Sequence, residues 1–142
     1  MKKIFLSATI EVQVPFYDAD MMHIVWHGNY VKYFEDARCA LLEKFGFNYL
    51  EMGKTGFAWP IVDMRLKYVK PAKFTDVICV TANLVEVHNC LKIEYLITNK
   101  KTEETLTRGY TVQTAVEMES NEMQFTSPEI LLTKLKEHGV EI

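Results

Sequence analysis

The sequence predicts an α+β fold in which a curved antiparallel β-sheet wraps around one long helix. Three observations carry this expectation. Residues 28–45 repeat apolar side chains at helical spacing with few polar positions. Residues 57–118 then run through four long, contiguous β-type segments. The chain has 142 residues, the size of a single domain with a substantial core. One helix cannot form a core alone, and a sheet curved around it can. Such a sheet has open edges, and pairing with a second copy is the usual way to cover them.

The elements follow in order. Residues 4–16 alternate loosely, with Thr9, Glu11 and Gln13 against Ile10, Val12 and Val14, and end at Pro15; they form a first strand. Residues 17–27 are a polar loop. The helix over 28–45 places Val31, Phe34, Arg38, Leu41, Leu42 and Phe45 near one face and stops at Gly46. At 1.5 Å per residue it would be roughly 27 Å long. Because Tyr30, Tyr33, Ala37 and Ala40 add apolar surface on its other sides, the helix is expected to be enclosed. A short helix is expected over 47–54, then strands over 57–69, 74–88, 90–100 and 104–118, with turns at Asn89 and at Asn99–Thr102. Ser127 is the expected N-cap of a last helix, with Pro128 at its first position and Gly139 beyond its end. The sequence contains no repeat, low-complexity tract or linker, and one domain over 1–142 is expected.

The balance of charge narrows the function. Sixteen basic and 19 acidic residues give a net charge of −3, without blocks of like charge, which argues against general nucleic-acid or membrane-surface binding. No window approaches the roughly 18 apolar residues that a membrane span needs. The apolar run Ile4-Phe5-Leu6 breaks at Ser7, so no signal peptide is expected. Cys39, Cys79 and Cys90 are odd in number and never spaced C-x-x-C; reduced, structural thiols and a cytoplasmic location are the expectation.

The chemistry concentrates in Tyr17-Asp18-Ala19-Asp20-Met21-Met22-His23-Ile24-Val25-Trp26-His27-Gly28-Asn29-Tyr30. Two carboxylates and two imidazoles sit directly before a helix N-terminus, whose free N–H groups and positive dipole end stabilise an anion. A base beside an anion site suits acyl transfer. The apolar neighbours Met21, Met22, Ile24, Val25 and Trp26 would enclose a carboxylate and raise its pKa. Gly28 would let a substrate approach the backbone. Other readings stay open: Asp18 and Asp20 as turn formers, His27 as a structural histidine, and His23, His27 and Asp20 as metal ligands. The spacer Ile24-Val25-Trp26 lacks the Glu of H-E-x-x-H, and no metal is expected. Glu35 and Arg38, three apart, suggest a buried ion pair or a second polar group at the site. Trp59 and Ile61, on one strand face by alternation, are candidates for an acyl pocket or for plain core. Arg65, Lys67, Lys70 and Lys73 form a solvated face or a phosphate contact.

This architecture and loop resemble the acyl-CoA thioesterases of the hotdog fold, in particular the 4-hydroxybenzoyl-CoA thioesterase group with its Tol–Pal-associated members. The resemblance lies in Tyr17-Asp18-Ala19-Asp20, Ile24-Val25-Trp26-His27, Asn29-Tyr30 and Tyr33-Phe34-Glu35-Asp36-Ala37-Arg38. A second match covers Trp59-Pro60-Ile61-Val62, Tyr68-Val69-Lys70-Pro71-Ala72 and Asp76. It implies that Asp20 is the catalytic carboxylate, attacking the thioester carbonyl or activating a water. It also implies that His27, through its backbone N–H, faces the thioester oxygen. Where the family usually has Gly, this chain has His23. The expected substrate is an acyl-CoA, with acyl carrier protein as the other possible carrier. Trp26, Gly28, Tyr30, Glu35, Trp59 and Ile61 are expected around it with His23. No cofactor is implied, and a homodimer or homotetramer with sites at the interface is expected. A non-catalytic acyl-CoA or acyl-carrier-protein binding module, or a dehydratase or hydratase of the same fold, is the competing reading.

Overall fold

The computed structural model describes residues 2–142. Strand β1 (Leu6–Gln13) leads through a single 3-10 turn (Phe16–Asp18) and a hairpin-like loop to a second 3-10 turn (His27–Asn29). Helix α1 (Tyr30–Glu43) follows directly, then the short α2 (Tyr49–Gly53), β2 (Phe57–Ala58), β3 (Ile61–Tyr68), β4 (Val77–Glu86), β5 (Leu91–Asn99), β6 (Thr105–Gln113), β7 (Val116–Glu117) and α3 (Glu129–Glu137). The main sheet is antiparallel in the order β1-β4-β5-β6-β3, and β2 pairs with β7 apart from it. The curved sheet around a long helix is the architecture expected from the pattern.

The central strands alternate cleanly. Ile78, Val80, Ala82 and Leu84 of β4 and Leu91, Ile93, Tyr95 and Ile97 of β5 face the core. Helix α1 meets them with Tyr30, Tyr33, Phe34, Ala37, Arg38, Leu41 and Leu42, a stripe at i, i+3, i+4, i+7 spacing. Phe34 is fully buried and stacks on Tyr95, ring centroids 4.2 Å apart. Gly109 makes room for it: a Cβ there would lie 2.7 Å from the Phe34 ring and 2.3 Å from the Arg65 carbonyl.

Several expectations change. Helix α1 is shorter than 28–45 because its first turn is 3-10, and it is not enclosed: Lys32, Glu35 and Asp36 form an exposed face in the single chain. The expected strand over 57–69 breaks at Trp59-Pro60, and that over 104–118 breaks at Thr114-Ala115, so the ends β2 and β7 leave the main sheet to pair with each other. Proline has no N–H for the ladder, which accounts for the first break. The strand expected over 74–88 begins only at Val77. Pro128, with extended ψ, is the N-cap of α3, and no side chain caps it; the Ser127 N–H instead donates to the His88 carbonyl. No helix of the described residues is long and apolar enough to cross a membrane.

Candidate active site

The loop before α1 is a small hairpin stitched to the chain at 72–74. Ala19 bridges Val25, the Asp20 N–H donates to the Ile24 carbonyl at 2.8 Å, and the Val25 N–H donates to the Ala72 carbonyl at 2.8 Å. At its tip the His23 N–H donates to the Asp20 carbonyl, and the His23 carbonyl accepts from the Phe74 N–H. This turn puts His23 in the left-handed region, with φ of 65°. A side chain is disfavoured there and glycine is not, so the usual family Gly has a backbone reason. The imidazole itself is exposed. His23→Gly is therefore expected to stabilise the fold by about 0.5–1 kcal/mol, with a small rise in Tm by calorimetry; a loss of stability would show that the side chain has a partner in solution.

Asp18 and Asp20 have different surroundings. Asp18 is buried: one carboxylate oxygen accepts from Lys32 Nζ and the other from the Tyr33 hydroxyl, both at 2.7 Å. Its carbonyl accepts from the Trp26 N–H and from Asn29 Nδ2. Asp18 thus clamps the loop onto the first turns of α1. Burial, reinforced by the hydrogen bond to Asp18, pushes the Tyr33 phenol far above its ordinary value and keeps it a donor. Asp20 is exposed, and its Oδ1 accepts the Met22 N–H at 2.8 Å in an Asx-type turn. Its other oxygen is open. The expected apolar enclosure is not made within one chain, because Met21 and Met22 point outward, 98% and 76% exposed.

Asp20, Ile24, Val25, His27, Tyr30, Tyr68, Val69, Lys70 and Pro71 line one cleft of about 290 Å³. His27 and Gly28 begin the turn that leads into α1, and among the described residues neither N–H has a backbone acceptor. Both are free donors at the positive end of a helix. Tyr30 is buried; its hydroxyl accepts the Ala72 N–H at 3.1 Å, and its own hydrogen has no acceptor among the described residues. Burial raises its pKa, so it remains a neutral donor.

The other candidates lie elsewhere. The Trp26 indole rests over Gly28, where a Cβ would meet the ring at 2.1 Å, and packs against the His27 ring with centroids 4.7 Å apart. Gly28 thus makes room for Trp26; the close approach assigned to substrate is taken by an indole. Trp26 is not part of the cleft wall. Trp59 is core, packed edge-on to Phe47 and Phe57, and the Pro60 break puts Ile61 on the exposed strand β3 rather than on a shared face with it. Neither lines the cleft. Glu35 is on the exposed side of α1, 4.0 Å from Arg38. The expected pair is made, but only its Arg38 half is buried; Arg38 also donates to the Tyr49 hydroxyl at 2.7 Å and the Tyr95 hydroxyl at 3.3 Å. Burial disfavours its charge, but the two phenols outweigh that and raise its pKa. Lys70 pairs with Glu104, whose carboxyl it draws below the usual range. No three Asp, Glu, His or Cys side chains converge as metal ligands among the described residues. Lys70, expected as a solvated charge or a phosphate contact, reaches the cleft; Tyr68, Val69 and Pro71 reach it without having been singled out as site residues, and their only signal in the sequence was the second match, Tyr68 to Ala72.

Residues 22–105 match the thioesterase superfamily. The chain belongs to the thioesterase superfamily. The matched segment begins two residues after Asp20. This thioesterase-superfamily chain is similar to the provisionally named acyl-CoA thioesterase YneP of Bacillus subtilis, 35% identical over 85 residues, which are 60% of this chain and 61% of YneP. It thus spans about three fifths of the length of that curated relative. A solved hypothetical protein of Aquifex aeolicus is 28% identical with a TM-score of 0.77, covering 89% of this chain and 98% of that one. A 1,4-dihydroxy-2-naphthoyl-CoA thioesterase of Synechocystis is 20% identical with a TM-score of 0.79, over 92% and 96% of the two chains, a likeness that shows the fold. The curved sheet and its helix are the hotdog fold of thioesterases.

Proposed function

We propose that this protein is an acyl-CoA thioesterase of the 4-hydroxybenzoyl-CoA and Tol–Pal-associated type, converting an acyl-CoA to free acid and CoA. The observation that carries the reading is the shared cleft, which Asp20, with one carboxylate oxygen outside the turn bond, and His27, whose N–H has no backbone acceptor among the described residues, line together beside Tyr30. Thioester hydrolysis needs those two parts, a nucleophile or base and donors for the developing oxyanion.

In the nucleophilic course an Asp20 oxygen attacks the carbonyl carbon. The thioester oxygen becomes an oxyanion held by the helix-start N–H groups, and the C–S bond breaks to release CoA thiolate. Water then cleaves the anhydride, regenerating Asp20. In the base-assisted course Asp20 takes a proton from water as the water attacks, and the proton passes to the departing sulfur. Both end in the same acid and thiol. The name of YneP supports an acyl-CoA substrate, and an acyl-carrier thioester has the same reactive bond.

We infer one domain over 1–142, acting in the cytoplasm as a homodimer or homotetramer. Three groups on the loop (Met21, Met22, Trp26) and three along the edge strand β3 (Val62, Met64, Tyr68) are exposed apolar surface, and β3 has an unpaired edge. A second copy there would cover the site and supply the enclosure that one chain lacks.

The test is release of free thiol from a panel of short, long and aromatic acyl-CoAs and an acyl-carrier thioester. Cleavage of at least one is expected. If none is cleaved while acyl-CoA binds, the protein is a binding module and the reading is wrong.

A further inference from the structure

The cleft does not stand alone. Lys70 and Pro71 line it, and they also line a second hollow of about 480 Å³ together with Lys73, Thr102 and Glu104. Asp76, Asn99 and Thr102 line both that hollow and a third, of about 590 Å³, at the turn between β5 and β6. All three lie at one end of the main sheet, where Gln13 pairs with Val77, Ile78 with Asn99 and Tyr68 with Thr107. They form a trough that starts beside Asp20 and His27 and runs past the 70–76 connection to the 99–104 turn.

The trough is cationic in a chain whose net charge is −3. Its two outer hollows are lined by Lys70, Lys73, Lys100 and Lys101, against the carboxylates of Asp76 and Glu104. Glu104 holds Lys70, and Glu11 holds Lys100 from outside the trough. One oxygen of Asp76 accepts the Lys73 N–H. The ammonium groups of Lys73 and Lys101 have no carboxylate partner among the described residues. Asn99 accepts the Lys101 and Thr102 N–H groups through Oδ1, which leaves its Nδ2 as a further donor without an acceptor among them.

Unpartnered donors suit a ligand made of acceptors. Phosphate is one, and lysine binds it as a point charge. In CoA the thiol sits on a flexible arm whose other end is a nucleotide carrying a diphosphate and a further phosphate. With the thioester carbonyl at Asp20 and His27, that end needs a polar, positively charged path out of the cleft. Each outer hollow has the size of a small-molecule site, about 300–1,000 Å³. A folded carrier protein cannot enter such a recess.

We propose that the trough holds the phosphate-bearing nucleotide end of CoA, with Lys73 and Lys101 as its phosphate contacts, and so selects CoA over acyl carrier protein as the carrier. This rests on the thioesterase reading above and names the carrier that it left open.

The experiment compares wild type, the double variant Lys73→Ala/Lys101→Ala, and Lys136→Ala on α3 as a control. Calorimetric titration uses CoA, dephospho-CoA and pantetheine; thiol release uses an acyl-CoA, the matching acyl-pantetheine and an acyl-carrier thioester. Wild type is expected to bind CoA most tightly and pantetheine least, with a Kd for CoA that rises with salt. The double variant is expected to raise that Kd roughly 10-fold, about 3-fold per exposed charge pair. Its preference for acyl-CoA over acyl-pantetheine, as a ratio of kcat/KM, should fall by the same factor. Both lysines are exposed, so its Tm should match that of wild type. Lys136→Ala should change neither readout. A double variant with wild-type affinity for CoA, or a wild type that binds pantetheine as tightly as CoA, would overturn this inference while thiol release upholds the thioesterase reading. A wild type that prefers the acyl-carrier thioester, or a double variant impaired on that substrate alone, would overturn it too. Lysine-dependent CoA binding without cleavage of any thioester would overturn the thioesterase reading and leave the subsite standing. A wild type that neither binds CoA nor cleaves a thioester would overturn both.

Discussion

Asp20→Asn is expected to lower kcat for acyl-CoA hydrolysis by about 10²–10⁴-fold, the usual contribution of a positioned base or nucleophile, while leaving the fold intact. The substitution is unusually selective at this position. Asp20 Oδ1 accepts the Met22 N–H in the turn, and an asparagine oxygen can accept that same bond. What is lost is the charge and the open second oxygen, replaced by an amide that neither attacks a carbonyl nor takes a proton from water. Asp20→Ala would remove the turn bond as well, so it should lose both activity and some stability of the loop. Thiol release measures the first effect, and circular dichroism with a melting curve measures the second. If Asp20→Asn cleaves at the wild-type rate, the carboxylate is only a turn former and the mechanism is wrong.

Phe34→Ala is expected to destabilise the protein by about 3–5 kcal/mol, the cost of emptying a large aromatic site in a packed core. Phe34 has no exposed surface, lies flat on Tyr95, and fits over Gly109 where no side chain could stand. The space it leaves cannot collapse easily, because β5 and β6 on one side and the buried Arg38 on the other are tied by hydrogen bonds among Arg38, Tyr95 and Thr111. At fixed protein concentration Tm should fall on the order of 10 °C or more. Since α1 carries the site at its N-terminus, activity should be lost at a lower temperature in parallel. A Tm within two or three degrees of wild type would mean that α1 is held mainly by its other contacts.

Much of the fold was legible because it rests on periodicity. The alternation of Ile78, Val80, Ala82 and Leu84, and the helical stripe from Tyr30 to Leu42, each bury one face. The site was legible as a segment, since Asp20, His27 and Tyr30 share a cleft. Its finer geometry was not. Arg38 looked like half of a buried ion pair with Glu35, three residues away; Glu35 is 4.0 Å off on the exposed side of α1, and the hydrogen-bond partners of Arg38 are phenols from α2 and β5. Trp59 and Ile61 looked like neighbours on one face until Pro60 ended the ladder between them. Gly28 looked like a place for substrate, and an indole two residues earlier fills it.

By itself the sequence determined the order and type of the main strands and helices, though not their ends or breaks, which loop holds the acid–base groups, and that a helix N-terminus stands beside them. Those properties are set by spacing and by groups close along the chain. Only the tertiary structure decided that Asp18 is a buried clamp while Asp20 stays open, that His23 occupies a left-handed turn, and that Tyr68 from β3 secures the His27 carbonyl. These depend on contacts between residues far apart in sequence, or on backbone angles imposed by pairing to such residues.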